Sequence, residues 1–171
     1  MTTSFLRALS ALPRILLQAM ERHRAVEELR ASRAELREKA YRDPLTGLPN
    51  RGYFLENLDR DLAIARRYGQ TLALLFIDLD HFKEINDTRG HHVGDWALRS
   101  VARVLRASVR ESDSLCRYAG DEFIVLLRDL SDPLDAMRIA RKMLDGIRTP
   151  VGEERMGVTP EASVGISGFP R

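Results

Sequence analysis

Ser114-Leu-Cys-Arg-Tyr-Ala-Gly-Asp-Glu-Phe-Ile-Val-Leu-Leu127 decides the fold of this chain. Two short apolar runs, Ser114–Tyr118 and Phe123–Leu127, flank a turn that contains Gly120-Asp121, and the pattern predicts a β-hairpin. Upstream, Thr71 to Ile77 is a continuous apolar run ending in Asp78-Leu79-Asp80. Such a run predicts a strand buried on both faces, with acids at its C-terminal end. If strand and hairpin share a sheet, Asp78, Asp121 and Glu122 converge at one edge. Carboxylates gathered without matching bases repel one another, and a cation relieves the repulsion. Mg²⁺ (or Mn²⁺) suits such a place, because Mg²⁺ takes one or two carboxylates and leaves its other positions to water and phosphate oxygens. Gly120 fits the same picture: without a Cβ it permits positive φ and lets a phosphate or ribose approach the backbone. Taken alone it reads as an ordinary hairpin glycine.

Working outward, the apolar positions Phe54, Leu55, Leu58, Leu62 and Ile64-Ala65 predict a helix from Gly52 to about Tyr68, closed by Gly69. A polar loop or short helix follows from His81 to Gly94. A strongly periodic helix is expected from about Asp95 to Val109, with Trp96, Leu98, Val101, Val104 and Leu105 inward and Asp95 placed as its N-cap. Pro133–Ile147 reads as a further helix and Ala162–Ser167 as a last strand. Counted from the Thr71 strand, the order β-α-α-β-β-α-β predicts an α+β fold with a mainly antiparallel central sheet flanked by helices.

Residues 1–42 read as a helical stalk that precedes the domain at 43–171. Its heptad seam is Phe5, Ala8, Leu12, Ile15, Ala19, Arg22, Val26, Leu29, Arg33, Leu36 and Ala40, apolar except for the two arginines. That pattern suggests a two-stranded coiled coil, and an amphipathic helix packed on its own domain or lying on a membrane surface remain alternatives. Pro13 kinks or restarts the helix. Asp43-Pro-Leu-Thr-Gly-Leu-Pro-Asn-Arg51, with two prolines and a glycine, ends it in a structured turn.

Charge is unevenly placed. Residues 1–42 hold nine Lys/Arg against five Glu, whereas residues 43–171 hold 18 basic against 20 acidic side chains. The slightly acidic domain argues against a general binder of nucleic-acid polymers. A single cysteine, Cys116, excludes an internal disulfide and suits a reducing compartment. With Arg7, Pro13 and Arg14 interrupting the apolar start, neither a membrane span nor a signal peptide is expected, and the chain reads as cytoplasmic.

Four motifs together resemble the GGDEF family of diguanylate cyclases: Asp43-Pro-Leu-Thr-Gly-Leu-Pro-Asn-Arg51, Phe76-Ile-Asp-Leu-Asp-His-Phe-Lys-Glu-Ile-Asn-Asp87, Gly90-His-His-Val-Gly-Asp95 and Arg117-Tyr-Ala-Gly-Asp-Glu-Phe123. Ser163-Val-Gly-Ile-Ser167 resembles the family's later strand. The resemblance implies the palm-like sheet shared with nucleotide cyclases and polymerases. It also implies condensation of two GTP into cyclic di-GMP with loss of two pyrophosphates. Under it, Asp78, the backbone carbonyl of Leu79 and Asp121 hold the metal, Asp121 activates the 3′-hydroxyl, and Glu122 is a second acid of the same site. Asn86 and Asp95 match the residues that read guanine, while His91, Lys83 and Gly120 match positions near the substrate. Arg110 and Asp113 resemble the family's product-inhibition pair, with Arg141 as a weaker accessory. One domain holds one GTP, so a homodimer is implied, together with a sensory domain or partner outside this chain.

Two departures qualify the resemblance. Ala119 stands where the signature has glycine, which is tolerable if the local φ is negative. The family pattern also continues past Arg171 into a helix with an Ala-Lys pair and a final strand, which supply a lysine and an arginine to the triphosphate. The domain at 43–171 is therefore expected to be C-terminally incomplete.

Overall fold

The computed structural model describes residues 20–33, 36–37, 39–149 and 156–170. Within them, β1 (Leu72–Asp80) is the strand around which the domain is built. It pairs with β3 (Glu122–Arg128) on one side and β4 (Glu161–Phe169) on the other, and β2 (Ser114–Ala119) pairs with the far edge of β3. The sheet order is β2-β3-β1-β4. Each neighbouring pair is antiparallel, as the sequence predicts. Four helices accompany the sheet: α1 (Arg51–Tyr68), α2 (Phe82–Arg89), α3 (His91–Ser108) and α4 (Pro133–Arg148).

Strand alternation sends β1 side chains to two unequal layers. Leu75, Ile77 and Leu79 enter the larger core with Phe123, Val125 and Leu127 of β3, Leu98, Val101 and Leu105 of α3, and Met143 and Ile147 of α4. On the opposite face, Leu72, Cys116, Ile124 and Leu126 pack with Phe54 and Ala65 of α1. Burial pushes the Cys116 thiol up to about 12, which keeps it protonated and inert.

Here the structure corrects one expectation. β1 is not buried on both faces along its length: on the α1 face, cover holds at Leu72 and thins until Phe76 is 36% exposed and Asp78 is open. The apolar stripe of α1 spans only the Leu72–Leu74 end of the strand. The acids stand at the C-terminal end of the strand, as the sequence predicts, but on an open face.

Local boundaries differ too. The 81–94 stretch folds as α2 followed directly by the start of α3, with Gly90 at φ +86 between them. Asp95 thus lies inside α3 and does not cap it; the N-cap position is Gly90. The hairpin loop shrinks to Gly120 and Asp121, because pairing continues to Ala119 and Glu122 across an irregularity between Arg117 and Ala119. Asn50 caps α1 by accepting from the Tyr53 N–H at 3.0 Å, and Gly69 at φ +66 closes it.

The chain divides into two compact units, Met1–Ala40 and Tyr41–Arg171. In the first, residues 20–33 are helical, and the seam residues Val26, Leu29 and Leu36 are exposed. The seam from Phe5 to Ala19, and Pro13, lie outside the described residues. Among the described residues, no helix is long and apolar enough to cross a membrane.

Leu75 has no exposed surface and sits at the centre of the larger core. Leu75→Ala is expected to lower unfolding free energy by about 2–5 kcal/mol, read from the urea midpoint at unchanged m-value.

Candidate active site

The open face of β1 gathers the acids. Asp78 lies directly across from Glu122 on β3 and from Ser163 on β4. Asp80, two residues on and on the same face, accepts from the Ser163 hydroxyl at 2.7 Å. Asp121 adjoins Glu122 in the two-residue turn. Partial burial raises the Asp78 carboxyl above its ordinary 3.8, and the negative charges of Asp121 and Asp80 raise it further. That is the signature of negative charge without a compensating base, and it marks a place where a divalent cation is favoured. Among the described residues, no three His, Cys, Asp or Glu form a closed metal-binding group. The donor set instead fits an open site of Asp78, Asp121 and a backbone carbonyl, with room for water and phosphate oxygens.

The turn that carries Asp121 is fixed from outside. Gly120 adopts φ +45, and a Cβ built there would meet nothing within 4 Å. Backbone conformation, not crowding, therefore calls for glycine. Ala119 is exposed and is not among the residues at positive φ, so the alanine is accommodated without strain. Arg117 is the anchor that sequence reading missed. Its Nε donates to the Gly120 carbonyl at 2.8 Å, and its Nη1 donates to both oxygens of Asp43 at 3.0 Å. Its backbone N–H donates to the Pro49 carbonyl at 3.0 Å. Burial alone would push the Asp43 carboxyl up, but hydrogen bonds from Thr46 and the Arg117 charge outweigh it and hold it below the ordinary range. The 43–51 turn also grips Tyr118, whose ring lies 4.6 Å under the Arg51 guanidinium and edge-on to Phe76.

Asn86 and Asp95 are brought together through Gly94. A Cβ on Gly94 would lie 2.0 Å from Asn86 Oδ1, so the Asn86 amide rests against the bare backbone immediately before Asp95. Both side chains are half-buried, whereas Lys83 on α2 and His91 on α3 are exposed. The Leu79 side chain is in the core, which leaves only its backbone to face a ligand. His81 begins α2 at φ +56, a left-handed conformation uncommon outside glycine, beside Asp80.

Arg110 and Asp113 lie at the other end of the hairpin, before Ser114. Arg110 is exposed. Asp113 is buried, and its two oxygens accept from the Arg110 N–H at 2.8 Å and the Arg128 N–H at 3.1 Å. Its carboxylate therefore holds the Arg110 turn onto β3. Nearby, the Arg128 guanidinium pairs with Asp61 of α1, which is only 8% exposed, and reaches Ser114 Oγ and the Ser112 carbonyl. The sequence reading misses Asp61; an acid in step with Phe54, Leu58 and Ala65 on the inner stripe of α1 is the signal that points to it.

Comparison with known proteins agrees with this architecture. Residues 40–171 match the family described as "Diguanylate cyclase, GGDEF domain", and the chain belongs to that family. It is 41% identical over 143 residues to the diguanylate cyclase TpbB of Pseudomonas aeruginosa, covering 83% of this chain and 33% of TpbB. It is also 39% identical over 145 residues to the cyclic di-GMP phosphodiesterase NbdA of the same organism, covering 85% of this chain and 18% of NbdA. The chain thus spans a third or less of these relatives. Among solved structures, the coiled coil and GGDEF domain of DgcB from Caulobacter crescentus, in complex with c-di-GMP, superposes with a TM-score of 0.81 at 28% identity. That match covers 92% of this chain and 83% of that one.

The Asp78 shift has a consequence for stability. The folded protein holds this proton more tightly than the unfolded chain, so stability falls as pH rises through the window above 3.8. Asp78→Asn is expected to raise the melting temperature in metal-free buffer at pH 7. The two proteins should converge as the pH drops towards 3.8. Calorimetry across that range checks it, and added Mg²⁺ should stabilise the wild type alone.

Proposed function

We propose that this domain is a diguanylate cyclase that condenses two GTP into cyclic di-GMP and releases two pyrophosphates. The observation that carries the reading is the set of acids on the open face of β1, at the Gly120-Asp121 turn, in a domain of this family. Asp78, Asp121 and the Leu79 carbonyl would hold Mg²⁺ (or Mn²⁺), which when bound neutralises triphosphate charge and sharpens the electrophilicity of the α-phosphorus. Asp121 accepts the 3′-hydroxyl proton, and the freed oxygen attacks the α-phosphorus of the opposite GTP in line with departing pyrophosphate. Glu122 supports the same site, and Gly120 lets the nucleotide approach the backbone.

Guanine is chosen by hydrogen bonding. The Asp95 carboxylate accepts from N1–H and the N2 amino group, and the Asn86 amide serves the other polar atoms of the base edge. Adenine lacks that donor pair and leaves Asp95 unmatched. His91 and Lys83 flank the nucleotide, with the Lys83 ammonium available to phosphate. Because one domain holds one GTP, the working unit is a homodimer, and the exposed seam of the N-terminal helix supplies a means of pairing. A GTP substrate and a single, buried thiol support a cytoplasmic setting.

Cyclic di-GMP also acts as inhibitor in this reading. The exposed Arg110 guanidinium meets guanine O6/N7 or phosphate, and the buried Asp113 carboxylate fixes the turn that presents it. A second reading, a nucleotide-binding module with little turnover, is favoured by one finding: a similar domain occurs within a protein named as a phosphodiesterase.

Incubation with GTP and Mg²⁺ and chromatographic analysis of the products separates the two. The cyclase reading expects cyclic di-GMP and its loss in Asp121→Ala, with circular dichroism unchanged; GTP binding without product would establish the sensor instead. Arg110→Ala is expected to raise by tenfold or so the cyclic di-GMP concentration needed for half-inhibition. An unchanged inhibition curve would remove Arg110 from the regulatory site.

A further inference from the structure

The 43–51 turn, α1, α3 and the start of β2 border a cavity of about 530 Å³ at the outer edge of the sheet. Arg42, Arg60, Arg103 and Arg106 line it. Arg128 also lines it but is already paired with Asp61. Of the carboxylates at the rim, Asp113 is committed to the backbone N–H groups of Arg110 and Arg128, which leaves Glu111. Arg60 and Arg103 bond only to neutral partners, Asn57 and Ser100, and among the described residues neither forms an ion pair. This concentration of guanidinium does not follow from a basic domain, since residues 43–171 carry 18 basic against 20 acidic side chains. None of Asp78, Asn86, Asp95, Asp121, Glu122 or Arg110 borders the cavity, so it lies apart from the acid site; it adjoins the Arg110 turn through Glu111 and Asp113, and the Asp113 carboxylate is taken up by that turn and by β3.

Like charges held around one hollow repel one another unless an anion sits between them. Guanidinium forks match phosphate oxygens in geometry and bind them bidentately. The volume lies within the usual range of about 300–1,000 Å³ for small-ligand sites. We propose that this cavity is a second, metal-independent binding site for a phosphate-bearing anion, either free inorganic pyrophosphate or the phosphate of a nucleotide. Arg60, Arg103 and Arg106 grip the phosphate, and the half-exposed Tyr53 ring at the wall is placed for a base when a nucleotide carries it.

Isothermal titration of the 171-residue chain in buffer with chelator, so that divalent cations are absent, tests this directly. Inorganic pyrophosphate and GMP are titrated separately. Saturable binding is expected, weakened about tenfold by Arg103→Gln and by Arg106→Gln, and unchanged by Asp78→Asn. Saturation by pyrophosphate assigns the site to a free anion, and saturation by GMP alone assigns it to a nucleotide; either outcome supports it. The proposal is overturned if neither ligand saturates, if both arginine variants bind as the wild type does, or if Asp78→Asn abolishes binding. Failure here leaves the cyclase reading intact, because that reading is decided by product formation with metal present.

Discussion

Arg117 is the point at which three parts of the domain meet. Its guanidinium joins Asp43 of the lead-in turn to the carbonyl of Gly120, and its backbone N–H takes up the Pro49 carbonyl. A turn built on glycine at positive φ has little stiffness of its own, so the position of Asp121 depends on what holds the turn from outside. The pair is well shielded, with Arg117 and Asp43 side chains 15% and 17% exposed. Loss of one partner would leave the other charge poorly solvated, which makes the joint more rigid than a surface ion pair. Lysine could not replace the arginine, since a single ammonium cannot span two carboxylate oxygens and a carbonyl in fixed directions.

That joint also explains why the 43–51 motif is needed although it contributes no acid to the site. Asp43 Oδ1 accepts from the Thr46 N–H at 2.8 Å and the Thr46 hydroxyl at 2.6 Å as well as from Arg117. The turn is thus folded around the same carboxylate that grips the hairpin. At its other end Arg51 stacks on Tyr118, the residue after Arg117. One short turn therefore clamps the hairpin by charge on one side and by a cation–π contact on the other.

Much of this was legible in the sequence, and the reason differs by element. The apolar runs of β1 and β3 and the Gly120-Asp121 turn specify the sheet by local pattern, so the strand pairing followed from them. Where α1 ends over the sheet is a tertiary fact, and a run of apolar letters cannot show that cover fails at Phe76. The polar residues before Asp95 suggest a helix start there, yet Gly90 begins the helix a turn earlier. In the sequence Arg117 shows only as part of a motif. Its partner is 74 positions away, and no periodicity links such residues. The juxtaposition of Asp78 with Glu122 was inferable once a shared sheet was assumed, but the exact register came only from the fold.

The hairpin constrains how any inhibition through Arg110 can work. At its open end Asp113 holds the Arg110 turn to the Arg128 N–H, and at its closed end Arg117 holds Gly120 to Asp43. Between these pins, Phe123 to Leu127 of β3 are all buried. A close-packed strand fixed at both ends resists bending, because moving it opens voids in two cores at once. Ligand at Arg110 therefore has no soft path along the hairpin by which to distort the Asp121 turn. Under the proposed function, inhibition must instead act on how whole domains face one another. This suits a reaction whose two nucleotides sit on different domains: the acids can stay in place while the attacking oxygen and the α-phosphorus are kept apart.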